Sequence, residues 1–346
     1  MATTPEPTDA VVIGAGPVGL FQVFQLGLQG IRAHLIDALP HLGGQCVELY
    51  GDKPIYDIPG VPVCTGSELI ALLARQITPF AAPQHLGELV QTFAPQADGR
   101  YLVGTATTQL LARTVFIAAG VGAFVPRTVK AEGIEAFTGT QIHYHPPASL
   151  PVAGLRVVVH GGDEPAVARA VALAEAGDAA HVTLLHRRDA FQAPPALLER
   201  LAALRAAGRV AVMAAQITGA QAQGDTLQTL TLLDAEGQAQ TLPLDQLQAF
   251  LGLSPRLGPI ADWGLALEKK QLVVDTAHFA TRLPGVYAVG DVNTYPGKRK
   301  LIVCGFHEAT LAAFAAAEYL AGGKVPLQYT TSSAQLQARL GVAHSS

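Results

Sequence analysis

The sequence predicts an α/β fold built from two three-layer, doubly wound units, the first split by insertion of the second. Three observations predict it. Two strand–glycine turn–helix–strand patterns begin near Asp9 and Arg156, about 150 residues apart. Runs such as DAVVI and RVVVH are short and uninterruptedly apolar, as strands buried on both faces must be. Beyond about residue 247 the chain returns to the style of its first third. Hydrophobic residues make up 49% of the 346 and charged residues 14%, which excludes a disordered chain.

In order, the pattern gives a strand over 9–13, a glycine turn over 14–19, a helix over 20–28, and a strand over 33–36 that ends at Asp37. A loop follows over 40–60, then a helix over 68–76 and strands over 86–93, 101–105 and 113–118. The second unit reads as a strand over 156–160, a turn at Gly161-Gly162, a helix over 166–176 and a strand over 182–185. Short strands fill 209–245, and a buried strand is expected over 249–253. Strands over 272–274 and 286–289 precede a helix over 306–321 that Gly322-Gly323 stops. Crossings near 119 and 247 make residues 1–119 and 247–346 one discontinuous domain and residues 120–246 the other.

Charge and cysteine usage narrow the function. Twenty-seven acidic and 23 basic residues leave a net charge of −4, which argues against a nucleic-acid footprint. Cys46, Cys64 and Cys304 supply neither a disulfide framework nor a CxxC pair. No apolar run is long enough to span a bilayer, and the opening MATTPEPTD lacks the features of a secretory leader. A cytoplasmic protein is expected.

Gly14-Ala15-Gly16-Pro17-Val18-Gly19 matches GxGxxG between a strand and a helix start. Gly14 permits the tight turn, Gly16 clears the approach of a pyrophosphate, and Gly19 lets the helix lie close to the strand. The helix N-terminus offers free N–H groups and a positive dipole end to phosphates. Asp37, 23 residues beyond Gly14, stands where a carboxylate accepts from ribose hydroxyls and repels a 2′-phosphate. FAD or NAD is favoured there over NADP.

The second turn, His160-Gly161-Gly162-Asp163-Glu164-Pro165-Ala166, reads as GxGxxA with Gly161 first and Ala166 last, but Asp163 replaces the middle glycine. A carboxylate at the closest phosphate approach is electrostatically unfavourable. The next strand ends in His186-Arg187-Arg188 instead of an acid. The forks of Arg187 and Arg188 suit a 2′-phosphate, so NADPH is expected at this turn.

The segment Thr281 to Asp291, TRLPGVYAVGD, resembles a flavoprotein-reductase pattern whose carboxylate, here Asp291, reaches the ribityl chain. That likeness selects FAD for the first turn. Taken with LPHLGGQC, LYGDKPIYDIPG, AAGVGAF, LLHRRDAF, LGPIADWGL, VYAVGDVNTYPGK and a tail with YTTS, it extends over nearly the whole chain. The sequence resembles the ferredoxin/flavodoxin–NADP reductases of the thioredoxin-reductase-like type.

The resemblance implies a homodimer of two Rossmann-like three-layer domains of the thioredoxin reductase type, holding FAD and taking hydride from NADPH. It implies Asp37 at the adenosine ribose, Gln45 at the phosphate–ribityl region and Tyr50 stacked on one isoalloxazine face. It places Asp57 at the pyrimidine edge, Val90 at adenine through its backbone, and Phe124 along the site. Asp291 would hold the ribityl chain. Tyr329 would stack on the other flavin face from a C-terminal tail, yielding to let nicotinamide dock, with Thr331 beside it. Thioredoxin reductases carry a CxxC in the NADPH domain, whereas residues 139–146 here hold no cysteine. Electrons must then leave from the flavin itself, singly, to a ferredoxin or flavodoxin.

Two departures from the family pattern, Asp163 and Gln192 (where a third arginine is usual), predict a weaker preference for NADPH than relatives have. Acidic acceptors need a local basic patch on this acidic chain, and Lys298-Arg299-Lys300 is the candidate. A general NAD(P)H diaphorase and a non-catalytic FAD-binding sensor are the alternatives.

Overall fold

The computed structural model describes residues 4–342, with the side chains of 123–126 and 253–256 outside the described set. The chain divides into two compact units, residues 1–123 with 255–346, and residues 124–254.

In the first unit, the strand Glu6–Ile13 lies at the middle of a seven-stranded sheet. It pairs in parallel with Ala33–Asp37 on one side and Gln109–Ile117 on the other. Gln84–Leu86 extends the sheet beyond Ala33–Asp37. Gln109–Ile117 shares its far edge between two strands: Tyr101–Gly104 pairs antiparallel with its beginning, and Val286–Ala288 pairs parallel with its end. The second part of the chain therefore enters the sheet beside the first glycine turn. Val11, Val12, Leu35, Ile36, Phe116 and Ile117 carry no accessible surface, as expected of strands covered on both faces.

Helix α1 (Pro17–Gln29) covers one face, starting with proline in its first turn and ending at Gly30 in the left-handed conformation. Helix α2 (Gln45–Tyr50) lies inside the stretch expected to be a loop; its six residues follow Gly43 and Gly44, both at positive φ. Helix α3 (Gly66–Ile77) begins with a capping box, Thr65 Oγ1 accepting from Glu68 N (3.2 Å) and Glu68 Oε2 accepting from Thr65 N (2.7 Å).

In the second unit, a seven-stranded sheet runs Ile142–Tyr144, Gln246–Ala249, Arg156–His160, His181–His186, Ala211–Gln223, Thr226–Asp234, Ala239–Pro243. The first five strands are parallel and the last three form an antiparallel meander. Helices α4 (Glu164–Ala176) and α5 (Pro195–Ala206) belong to this unit. α5 has no counterpart among the elements expected from periodicity, because Leu201 and Leu204 alone are buried and its apolar stripe is narrow. The strand expected over 249–253 is corrected to Gln246–Ala249. Its polar residues Gln246 and Gln248 are buried, hydrogen-bonded to each other at 2.7 Å, and so break the apolar pattern.

Helix α6 (Ile302–Ala321) returns to the first unit and packs on α1, where the buried Gln22 donates from Nε2 to Ala309 O at 3.2 Å. The short helix α7 (Ala334–Arg339) ends the described chain. Among the described residues no helix is long and apolar enough to cross a membrane.

Candidate functional site

The three glycines of the first turn answer to three different neighbours. Gly14 has φ +111°, and a Cβ there would lie 2.4 Å from Ala118 O. A Cβ on Gly19 would lie 1.8 Å from Gly14 O. Gly16 differs: its φ of −69° and ψ of −179° suit any residue, and its Cβ would meet nothing nearer than Gly43 O at 4.0 Å. Neither backbone strain nor protein packing demands glycine at 16. The open space above it leaves room for the close approach that a pyrophosphate makes to such a turn. Gly16 caps α1 with no side-chain bond, and no acid lies in the helix's first turn.

Asp37 braces this turn. Its Oδ2 accepts from Ala15 N at 2.5 Å and its Oδ1 from Leu39 N at 2.8 Å. Burial pushes its carboxyl up from the ordinary aspartate range, and these two N–H groups partly oppose the shift. The backbone of 37–39 also receives Gly87 N and Glu88 N, at 2.8 and 2.9 Å, which brings the buried Val90 to the same end of the sheet.

Asp291 stands in a single 3-10 turn, Gly290–Val292, after the strand Val286–Ala288. Gln45 Nε2 reaches its Oδ2 at 3.5 Å, so the structure brings together Gln45 and Asp291, two residues 246 apart. The Cβ of a residue at 290 would lie 3.3 Å from Val18, which puts the Gly-Asp turn beside the start of α1. Tyr50 ends α2 with 42% of its surface exposed and Lys53 Nζ 5.5 Å from its ring centre. Asp57 is exposed, next to Tyr56 at 71%. The side chain of Phe124 lies outside the described residues.

The sequence reading missed Glu308, a fully buried carboxylate of α6 that accepts from Gly290 N, Asn293 Nδ2, Tyr295 Oη and Lys298 Nζ. A signal was present: one acid in the otherwise apolar run ATLAAFAAA and its preceding FHE. This partnership corrects the expectation for Lys298. Its side chain is 7% exposed and ion-paired to Glu308 at 2.5 Å, so it offers no charge to a docking partner. Arg299 and Lys300 remain exposed.

The tail lodges away from the glycine turn within this chain. Arg339 Nη1 donates to Leu28 O at the C-terminal end of α1, and Gln328 lines the same cavity as Leu28, Gly30 and Arg339. Tyr329 (63% exposed) and Thr331 therefore sit at the opposite end of a 13-residue helix, about 20 Å long, from the glycine turn. Within this chain they do not meet Tyr50 or Asp291.

In the second unit, a Cβ on Gly161 would lie 2.4 Å from Phe250 O, and one on Gly162 would lie 2.5 Å from the His186 ring. That ring is itself held, its Nδ1 3.0 Å from Arg188 O. Ala166 is fully buried under the turn. Asp163 caps α4 without a side-chain bond and is exposed, with Glu164 in the first turn. Gln192 N donates to Gly162 O at 2.8 Å, which seats Gln192 against the turn. Arg187 and Arg188 are exposed, and neighbouring Asp189 is engaged by Arg205 at 2.8 Å.

Cys46 and Cys64 are buried and Cys304 is half-buried, all three unpaired. Burial, then the Asp291 and Cys64 charges, push the Cys46 thiol up to about 11, far from a reactive thiolate. Among the described residues no cluster of three or more His, Cys, Asp or Glu could hold a metal ion.

Residues 8–316 match the family model of the pyridine nucleotide-disulphide oxidoreductases. The chain is 68% identical over 345 residues to a ferredoxin–NADP reductase of Acidovorax sp. (strain JS42), covering 98% of this chain and 97% of that one. It is 66% identical to a ferredoxin–NADP reductase of Verminephrobacter eiseniae (strain EF01-2), covering 98% of each. Among solved structures, the Staphylococcus aureus bacillithiol disulfide reductase superposes with a TM-score of 0.57 at 18% identity, over 89% of this chain and 97% of that one. A T. acidophilum thioredoxin reductase does so with 0.54 at 22%, over 90% and 98%. At such identities these structures speak to the fold alone. The turn built around Gly16, the paired Gln45 and Asp291, and the near full-length likeness agree: the chain belongs to the pyridine nucleotide-disulphide oxidoreductase family, among its ferredoxin–NADP reductases.

Proposed function

We propose that this protein is an FAD-dependent ferredoxin–NADP reductase that moves electrons between NADPH and an iron–sulfur partner. The observation that carries the reading is the open space above Gly16, with Asp37 bonded to the neighbouring Ala15 N and Asp291 within reach of Gln45. FAD, when bound, accepts a hydride and releases electrons one at a time, which joins a two-electron donor to a one-electron acceptor.

The chain's own residues hold and orient. Gly14, Gly16 and Gly19 with the free start of α1 receive the pyrophosphate. Asp37 accepts from the adenosine ribose, and Val90 meets adenine through its backbone. Gln45 and Asp291 hold the ribityl region together, and Tyr50 presents its half-exposed ring to one flavin face. Asp57 addresses the pyrimidine edge. The expected crossings at 119 and 247 move to 123 and 254, so that residues 1–123 with 255–346 make the FAD domain and residues 124–254 the NADPH domain. There Gly161, Gly162 and Ala166 shape the turn, and Arg187 and Arg188 receive the 2′-phosphate.

Arg299 and Lys300 are the remaining basic pair for docking an acidic ferredoxin or flavodoxin, now without Lys298. Reversing both charges raises the acceptor's KM, and more so at low salt; a KM that ignores the reversal removes the patch. Homodimerisation and a cytoplasmic location complete the proposal and rest on the family likeness.

The deciding experiment is anaerobic mixing of the yellow holoprotein with NADPH, followed by ferredoxin. Bleaching near ~450 nm and its reversal by ferredoxin support the reading. Reversal by dyes alone leaves a diaphorase, and no bleaching leaves a sensor. Alkylating Cys46, Cys64 and Cys304 in the unfolded chain before refolding tests thiols separately; retained electron flow supports a flavin-only route.

A further inference from the structure

The Gly290–Asp291 turn is held by side chains from outside it at almost every backbone polar group. Gly290 N donates to Glu308 Oε2 at 2.7 Å, and Gly290 O accepts from Lys298 Nζ at 2.8 Å. Asp291 O and Asn293 O both accept from Gln271 Nε2, at 3.1 and 2.9 Å. Asn293 Nδ2 returns to Ala288 O and to Glu308 Oε2, each at 2.8 Å. Tyr295 Oη donates to the other Glu308 oxygen at 2.9 Å. A fully buried carboxylate and a nearly buried ammonium thus grip the two ends of one glycine unit, Gly290, whose φ of +80° no ordinary residue adopts readily.

Burying an ion pair brings little net stability and is often matched by apolar residues of the same volume. A stability role therefore explains this arrangement poorly. An orientation role explains it well, because Asp291 projects from the gripped turn while, among the described residues, its carboxylate meets only Gln45 at the limit of hydrogen-bond range. A carboxylate so lightly held owes its position to its backbone.

We propose that Glu308 and Lys298 are positioning residues that clamp the Gly290 peptide groups, fixing Asp291 for the ribityl chain of FAD. The proposal rests on the reading that Asp291 holds that chain. The clamp acts on the flavin half of the cofactor, whereas the glycine turn and Asp37 act on the ADP half. Loss of the clamp therefore separates the two halves.

The test compares full-length protein freed of cofactor in four forms: wild type, Asp291→Ala, Glu308→Gln, and the double variant Glu308→Gln/Lys298→Met. The double variant leaves no uncompensated buried charge and guards against a single variant that fails to fold. Dissociation constants for FAD and for ADP are measured on each, with visible circular dichroism of the reloaded flavin. The expected result is FAD binding weakened at least tenfold in both Glu308 variants, ADP binding within twofold of wild type, and an altered flavin dichroic band. FAD binding unchanged in the folded double variant overturns the clamp, as do equal losses for FAD and ADP. Wild-type FAD binding by Asp291→Ala instead overturns the reading of Asp291, and the proposal with it. Weak binding by Asp291→Ala with unaffected Glu308 variants overturns the clamp alone.

Discussion

At Gly16 a Cβ would meet nothing within 4 Å except Gly43 O, at 4.0 Å, while at Gly162 it would meet the His186 ring at 2.5 Å. Both glycines follow a parallel strand and open a helix, and both belong to a glycine-spaced pattern. The first keeps space empty; the second has its space filled by the protein's own imidazole. Charge differs in the same sense. The first turn of α1 holds no acid, whereas α4 starts with Asp163 and Glu164, both exposed. The comparison teaches that a glycine pattern marks close approach without saying what approaches. At the first turn the space is left for a ligand on the proposed reading. At the second the glycines serve the turn, and on the proposed reading recognition passes to the exposed Arg187 and Arg188.

The largest expected effect breaks or keeps this distinction directly. Gly16→Ala leaves the cofactor-free protein with a Tm within about 2 °C of wild type, because the new methyl meets Gly43 O no closer than an ordinary contact at 4.0 Å. Its FAD dissociation constant rises about 100-fold, near 2.7 kcal/mol. Gly162→Ala does the reverse in kind: it costs folding about 1–3 kcal/mol by crowding His186. Tight FAD binding by Gly16→Ala would erase the difference between the turns.

Next in size is the 2′-phosphate contact. Charge-assisted hydrogen bonds contribute about 1.5–3 kcal/mol, so Arg187→Ala/Arg188→Ala raises the KM for NADPH about 10- to 100-fold. The KM for NADH, which lacks that phosphate, changes less than about threefold. Steady-state kinetics with both nucleotides check this. Equal losses would move the recognition elsewhere in the second unit.

Much of this frame was legible in the sequence, for physical reasons. Parallel strands buried on both faces write themselves as apolar runs, so DAVVI and RVVVH marked the centres of both sheets. Gly14 and Gly19 were legible because the strand-to-helix turn leaves no room for a Cβ at either, and Asp37 because it ends the second strand. What escaped was set by distant partners. Lys298 read as a surface cation because it opens the basic run Lys298-Arg299-Lys300, and only the fold brings Glu308 to it. Gln246 and Gln248 broke an apolar pattern because they satisfy each other. The place of Tyr329 follows from where Arg339 and Gln328 lodge, a contact with α1 across some 300 residues of chain that no local pattern records.

The carboxylate of the first turn sharpens the comparison through pH. Asp37→Asn removes an oxygen that accepts from Ala15 N or Leu39 N and turns an amide donor toward one of them, so FAD binding weakens about tenfold. The sign with pH follows from burial, which raises the Asp37 carboxyl above its ordinary 3.8. In the cofactor-free protein its contribution to stability is present below 3.8 and is lost as pH rises through the raised value. On the proposed reading FAD binding runs oppositely, since ribose hydroxyls donate more strongly to the ionised carboxylate than to the neutral acid. Acidification therefore loosens FAD starting above the pH at which an exposed aspartate titrates. A titration of FAD affinity between pH 4 and 7 shows this slope in wild type and not in Asp37→Asn. A flat wild-type profile would remove Asp37 from the ribose.

The smallest effect lies at the second turn, where its sign carries the information. Asp163 is exposed and caps α4 without a side-chain bond, so its carboxylate acts through charge alone. A negative charge at a helix N-terminus stabilises the empty protein by about 0.3–1 kcal/mol, and the same charge repels an arriving phosphate. Serine is also a favoured cap, so Asp163→Ser keeps the turn while removing the charge. The variant loses a little stability without nucleotide and gains affinity with it, the KM for NADPH falling about two- to fivefold at low salt. At about 0.5 M salt, where screening acts over a few ångströms, the gain shrinks toward unity. A substitution that merely damaged the turn would lower stability and raise the KM together. Opposite signs for the two quantities, converging with salt, would show that the second turn admits its nucleotide against the charge at its own helix start.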